Sequence, residues 1–286
     1  MKSLAIAVAF AFAAGPVLAI DFGKILDAGR QAVQSAQGSP TSKEFSQEDE
    51  VALGNALTAS FLGASPLHPD AGLQRYVNRV GRWVAMHSER PELPWTFGVI
   101  DTETINAFAM PGGTVLVSHG LLRRLGNESE LAGVLGHEIA HVVKKHQLKA
   151  IQSSAGTDVF ADLGKEAVAQ RTGRGDVLGL KTAAAKVGVD ALKNGIFLRP
   201  LDRSMEYDAD RLGLVLAARA GYDPYGLVAA LQMLAQVKPD EGAASIMFST
   251  HPAPTDRLSE LERAMPALDR YASQPQVETR YRQNVK

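Results

Sequence analysis

Apolar positions along this chain recur mostly with a helical period and, in one short region, with a strand-like one. Leu73, Tyr76, Val77, Val80, Trp83 and Val84 stand at i, i+3, i+4, i+7, i+10 and i+11, one stripe of an amphipathic helix that "SERPELP" ends. Upstream, Ser46 stands where an N-cap would, before Leu53, Leu57 and Phe61 at four-residue spacing, and predicts a helix to about Leu62. Strand-like runs follow at Trp95–Asp101, Ala107–Met110 and Thr114–Ser118, with Pro111-Gly112-Gly113 as the turn between the last two. Asn127, with Glu130 three residues on, is a capping-box start for a helix to about Gln147. Another helix is expected from about Leu201 to Ala220, with Gly221 in the C′ role, and Asp223-Pro224 opens the next. The pattern predicts a mainly α protein with a small β-sheet, of the α+β class.

The two ends read differently. "MKSLAIAVAFAFAAGPVLAID" has a basic start, a short apolar run and a small-x-small ending, the pattern of a secretory signal peptide over residues 1–19. Cleavage is expected after Ala19, with export to the periplasm of a Gram-negative source. Residues 20–45 form a weakly amphipathic segment and the linker "GSPTSKE", and the main domain is expected over 46–265. Within it, residues 150–200 have only weak periodicity and are read as loosely helical, as a cover or an ordinary insertion. The polar C-terminal tail at 266–286 is read as disordered.

The chain has 286 residues, 45% hydrophobic and 21% charged, with a net charge of −1. The balanced charge gives no case for nucleic acid or an anionic membrane surface as partner. There is no cysteine, so any metal site draws on His, Asp and Glu. No apolar run after the leader is long enough to cross a bilayer, so the mature chain is expected to lack an integral membrane segment. Nothing in the pattern specifies an oligomeric state.

The chemistry concentrates in "LAGVLGHEIAHVV", Leu131–Val143, where His137, Glu138 and His141 interrupt an otherwise apolar helix. On a helix, i and i+4 lie one above the other, so His137 and His141 can share one small ion. Glu138 projects about 100° round the helix, beside the pair. H-E-x-x-H is the zinc-peptidase signature for that reason, with two ligands and a carboxylate that reaches a water without ligating. Burying these groups without a partner costs several kcal/mol, and a divalent cation compensates that cost.

A catalytic zinc needs a third protein ligand and an open position. In "RSMEYDAD", Glu206 and Asp210 are spaced i, i+4 on a predicted helix. Glu206 is assigned as the third ligand. Asp210, one turn on, can accept the free ring N–H of a ligand histidine and fix its tautomer. Asp208 is read as solvated. His146, five residues after His141 on what is expected to be the same helix, falls about 140° off the ligand face and is read as an exposed helix-end residue. His251, in the loop "FSTHPAPTDR", could donate to an oxyanion or close the open metal position.

These blocks together resemble the gluzincin metallopeptidases that include HtpX and the CAAX prenyl proteases, and within them the soluble BepA-like and LoiP-like branch. The matching stretches are "INAFAMPGGTVLVSHGLL", "ELAGVLGHEIAHVVKKH", "EYDADRLGLVLAARAGYDP" and "STHPAPTDR", in order across residues 46–265. The resemblance implies a zincin-like fold, with the active-site helix packed beside a short sheet. It also implies a zinc endopeptidase with His137, His141 and Glu206 as ligands and Glu138 as base. Asp210 then supports a ligand, and His251 is a transition-state or regulatory histidine. The strand around Asn106, Ala107 and Phe108 would line the cleft and pair with extended substrate, a recognition mode that reads backbone. Unfolded or misfolded envelope polypeptides are the expected substrates, one Zn2+ per chain the expected cofactor, and protein quality control the expected role. The alternative is a zinc-stabilised periplasmic chaperone without turnover. Unlike in BepA, the residues after 266 are not expected to form a repeat domain, and unlike in LoiP, no cysteine is present for lipid modification.

Overall fold

The computed structural model describes residues 46–150, 200–238, 247 and 250–285. The expected leader, the 20–45 segment and nearly all of the 150–200 stretch lie outside the described residues. Helices α1 (Gln47–Ala64) and α2 (Ala71–Ala85) precede strands β1 (Thr96–Ile100), β2 (Ala107–Met110) and β3 (Thr114–Ser118). Short helix α3 (His119–Leu122), long helix α4 (Glu128–Val143) and short α5 (His146–Ala150) follow. Beyond the undescribed stretch come α6 (Arg203–Arg219), α7 (Tyr225–Ala235) and α8 (Pro254–Leu261). A 3-10 turn at Met265–Tyr271 and α9 (Glu278–Asn284) close the chain's described part.

The strands form one sheet in the order β1-β3-β2, with β1 parallel and β2 antiparallel to β3. The β2–β3 turn is tight because Gly112 takes φ 78°, where a side chain would be strained. Period-two alternation divides the strand residues between two cores. Phe97, Val99, Ala107, Ala109, Val115 and Val117 join α2 and α4 on one face. Ile100, Met110 and Leu116 meet Leu57 of α1 on the other. Both faces are covered, which accounts for near-continuous apolar strands.

Helix α4 is the central element. Every residue from Glu128 to Val142 is buried, as expected of a helix apolar on all sides. Asn127 caps it through a hydrogen bond from Glu130 N–H, and Glu130 reaches back to the Gly126 N–H. Helices α6 and α7 pack against it. The α4–α6 contact is glycine on glycine. A Cβ at Gly136 would lie 2.9 Å from the Gly213 carbonyl, and one at Gly213 2.9 Å from the His137 nitrogen. No side chain fits between these backbones.

Three expectations are corrected. Helix α4 ends at Val143, not near Gln147, because Lys145 adopts a left-handed φ of 56° and the chain turns before α5. Trp83, placed on the buried stripe by its period, is 48% exposed, with its indole N–H donating to the Ala220 carbonyl at 2.8 Å. The segment after residue 266 is part of the fold. Arg280 of α9 grips both oxygens of the fully buried Glu128, which also accepts from the hydroxyls of Tyr76 and Tyr222. Tyr281 is buried and donates its hydroxyl to the Leu122 carbonyl. Among the described residues, no helix is long and apolar enough to cross a membrane.

Substituting Gly213→Ala should force α6 away from α4 and lower stability by about 1–3 kcal/mol, the usual cost of overpacking. Urea unfolding reads this directly. An unchanged midpoint would contradict so close a crossing.

Candidate metal centre

The glycine crossing sets what α4 and α6 can present to each other. His137 follows Gly136 directly, and His141 lies one turn further along α4. Glu206 and Asp210 lie two turns and one turn before Gly213 on α6. Asp202 fixes the start of α6 by accepting from the Ser204 N–H.

His137 Nε2 and His141 Nε2 lie 3.0 Å apart. Glu206 faces both, with Oε2 3.6 Å from His137 Nε2 and Oε1 3.5 Å from His141 Nε2. His251 joins them, with Nε2 3.7 Å from Glu206 Oε2. All four donors lie within 4.8 Å of one another. Glu206 is fully buried, and neither of its carboxylate oxygens has a hydrogen-bond partner among the described residues. A buried acceptor pair without donors carries a desolvation cost that only a cation or a proton offsets. Ligands at about 2.0–2.1 Å around a tetrahedral zinc stand about 3.4 Å apart, and these donors bracket that spacing. The donor set therefore fits a divalent transition cation held by His137, His141 and Glu206, with His251 as a fourth donor.

The supporting contacts set the tautomers. His137 Nδ1 donates to Asp210 Oδ1 at 2.8 Å, which leaves Nε2 as the lone-pair nitrogen. Asp210 is also gripped by Arg257 through Nε at 2.8 Å and Nη2 at 2.5 Å. Arg257 is buried at the start of α8, and nothing in the pattern of the quoted block announces its role. His146 is a correction. It is 3% exposed, and its Nδ1 meets His141 Nδ1 at 2.9 Å. The turn at Lys145 removes the continuous helix that would have pointed it away. When His141 Nε2 ligates, Nδ1 carries the proton and His146 Nδ1 accepts it. Asp208 is exposed and pairs with Arg211, as a solvated face should.

Burial governs the charges. It pushes His141 well below its ordinary range, reinforced by His137 and His146. His137 is lowered by burial and Arg257, against the opposing pull of Asp210. His251 drops to about 3 through burial, Arg257 and His137. His146 drops to about 4 through burial and Lys149. The imidazoles are therefore neutral, as ligands must be, and their approaches to Glu206 are not ion pairs at neutral pH. Burial raises Glu206 to about 8 against the pull of Arg257, with Asp210 and Glu138 adding to the rise. Asp210 alone stays far below the carboxylate range, because Arg257 and His137 outweigh its burial. Glu138 is 4% exposed, and burial pushes it up to about 8.

Strand β2 is an edge of the sheet and packs on α4. Ser118 N–H bonds the Asn106 carbonyl, so by antiparallel alternation Phe108 and Met110 also turn their backbone groups to β3. Ala107 and Ala109 face the free edge. The Ala107 N–H is taken by Asn106 Oδ1 at 3.0 Å, and Asn106 itself is buried. The Phe108 ring lies 4.7 Å from that of Phe61 of α1, tilted by 54°. Of the three residues expected to meet substrate, Ala107 is the one whose backbone groups turn to the free edge, as those of Ala109 do, while both side chains are buried.

Replacing His146 with alanine should leave the fold intact and weaken metal affinity by about 10–100-fold, the usual effect of losing a partner to a ligand imidazole. Competition with a chromophoric chelator measures it. Equal affinity in parent and variant would remove His146 from that role.

Comparison with known proteins points the same way. The beta-barrel assembly-enhancing protease of Yersinia pestis is 30% identical over 228 residues, 78% of this chain and 45% of that protein. Its Escherichia coli counterpart is 28% identical over the same shares. Mitochondrial metalloendopeptidase OMA1 of Schizosaccharomyces pombe is 31% identical over 196 residues, 67% of this chain and 52% of that one. The chain thus spans about half the length of these curated relatives. The profile of peptidase family M48 matches residues 71–265, from the start of α2 to just past α8 and with all four donors inside it. With two thirds of its length matched and the donors in place, the chain belongs to peptidase family M48.

Proposed function

We propose that this chain is a zinc-dependent endopeptidase that hydrolyses peptide bonds in unfolded or misfolded cell-envelope polypeptides. The observation that carries the reading is the buried Glu206 carboxylate, unpartnered among the described residues and aimed at both imidazoles of the H-E-x-x-H helix. Family membership and the protease names of the relatives support it. A purely structural metal module has no need of Glu138 beside the donors, which argues against turnover-free binding.

His137, His141 and Glu206 would hold the zinc. When bound, a divalent cation supplies Lewis acidity that polarises a scissile carbonyl and acidifies a water. Glu138 accepts the proton of the attacking water on its carboxylate and returns it to the leaving amine nitrogen. Burial raises its proton affinity, which suits it to hold that proton between the two steps. Asp210 and Arg257 hold the His137 ring, and His146 holds that of His141. An extended substrate would add to β2, meeting the Ala107 carbonyl and both backbone groups of Ala109. Such pairing reads main chain, so unfolded segments are suitable substrates. The leader-like N-terminus, and relatives named for β-barrel assembly, support a periplasmic setting.

His251 is neutral, and its Nε2 lies among the donors, which favours a latch on the fourth coordination position over an oxyanion donor. Thr250 Oγ1 lies 2.9 Å from its other nitrogen and orients the ring.

Glu138→Gln should retain metal and cut casein turnover by about 10²–10⁴-fold, the range for general acid–base catalysis. Parental turnover would remove Glu138 from the base role. His251→Ala should raise peptide turnover by freeing the fourth position. A fall would assign the ring to the oxyanion instead.

A further inference from the structure

We propose a second metal site, formed by His68, Asp101 and His119, that takes a late first-row divalent cation such as Zn2+. It shares no residue with the centre on α4 and α6.

Backbone geometry brings the three donors together. Strands β1 and β3 run parallel with Ile100 opposite Ser118. Asp101 and His119 are the next residues on each, so they leave the sheet side by side. The α1–α2 connection lies against β1 through a bridge between Leu67 and Ile100. On either side of that bridge, His68 N–H donates to the Val99 carbonyl and Asp101 N–H donates to the Pro66 carbonyl, both at 2.8 Å. Gly120 N–H donates to the Thr102 carbonyl at 2.9 Å and ties the loop of Asp101 to the helix of His119. All three clamps are backbone-to-backbone, so the donor side chains remain available while their Cα positions are fixed.

The side chains converge. The rings of His68 and His119 lie 4.4 Å apart between centroids, and one ligating atom from each of the three residues lies within 4.8 Å of the others. Bonds of about 2.0–2.2 Å in a tetrahedral shell set neighbouring donors about 3.4 Å apart. Small side-chain rotations close that difference. They are permitted here because His68 and His119 are half-buried and Asp101 is exposed. Water can complete the shell from the open side. The Asp70 N–H contact to His68 Nδ1 is long, at 3.3 Å, and holds the ring weakly. Glu103 Oε1 lies 3.9 Å from His119 Nδ1, beyond hydrogen-bond reach, so it does not fix that ring. Two imidazoles and a carboxylate suit Zn2+, Ni2+ or Cu2+, and not the oxygen-seeking Ca2+ or Mg2+. A bound cation would staple the α1–α2 connection to the end of the sheet.

The test strips the mature protein with chelator, reloads it with Zn2+, and counts bound metal by mass spectrometry after gel filtration. The parent should hold one equivalent more than the His68→Ala/His119→Ala double variant, and more than Asp101→Asn. Zn2+ should also raise the melting temperature of the parent more than that of either variant. Excess Mg2+ should not displace the additional equivalent. The comparison is a difference, so it holds whether or not the His137 centre is loaded. Equal metal counts in parent and variants, or displacement by Mg2+, would overturn the second site.

Discussion

Two helix backbones touch at Gly136 and Gly213 with no side chain between them, and the reach of every group at the centre follows from that contact. Glu206 is a short side chain rooted two turns before the crossing. It meets the imidazoles of α4 only because α6 lies close enough for its carboxylate to span the gap. Asp210, one turn nearer, lands on the far nitrogen of His137. One separation between helices therefore fixes a donor and its support together.

The second constraint is electrostatic. Four imidazoles, two raised carboxyls and one ion pair share the interior of an apolar helix packing. The Asp210–Arg257 pair stays charged because each neutralises the other and both are fully engaged. The remaining groups are driven toward neutrality by burial. A fold that buries an unpartnered carboxylate opposite neutral imidazoles is poised to gain stability from a cation and to release protons when it binds one. The same burial raises the proton affinity of Glu138.

Much of this was legible in the chain. The period of α2, the alternation of the strands, the Asn127–Glu130 cap and the i, i+4 spacings of His137/His141 and Glu206/Asp210 are local signals, and local physics determines them. What escaped reading depends on contacts distant in sequence or on backbone turns without a signature. A lysine at φ 56° is unusual, and nothing in "VVKKH" announces it, yet it returns His146 to His141. Arg257 matters because Asp210 lies opposite, 47 residues earlier in the chain. The C-terminal segment has a polar composition, but Arg280 anchors it to a buried glutamate 152 residues away and Tyr281 donates to the Leu122 carbonyl. Trp83 kept the period of its stripe but sits at its margin, where an indole N–H can bond a carbonyl.

The most direct test of the central arrangement is anomalous diffraction at the zinc edge from crystals of the metal-loaded protein. A peak is expected about 2.0–2.2 Å from the Nε2 atoms of His137 and His141 and from a carboxylate oxygen of Glu206. A zinc peak coordinated by other residues, with Glu206 turned away from both rings, would contradict it.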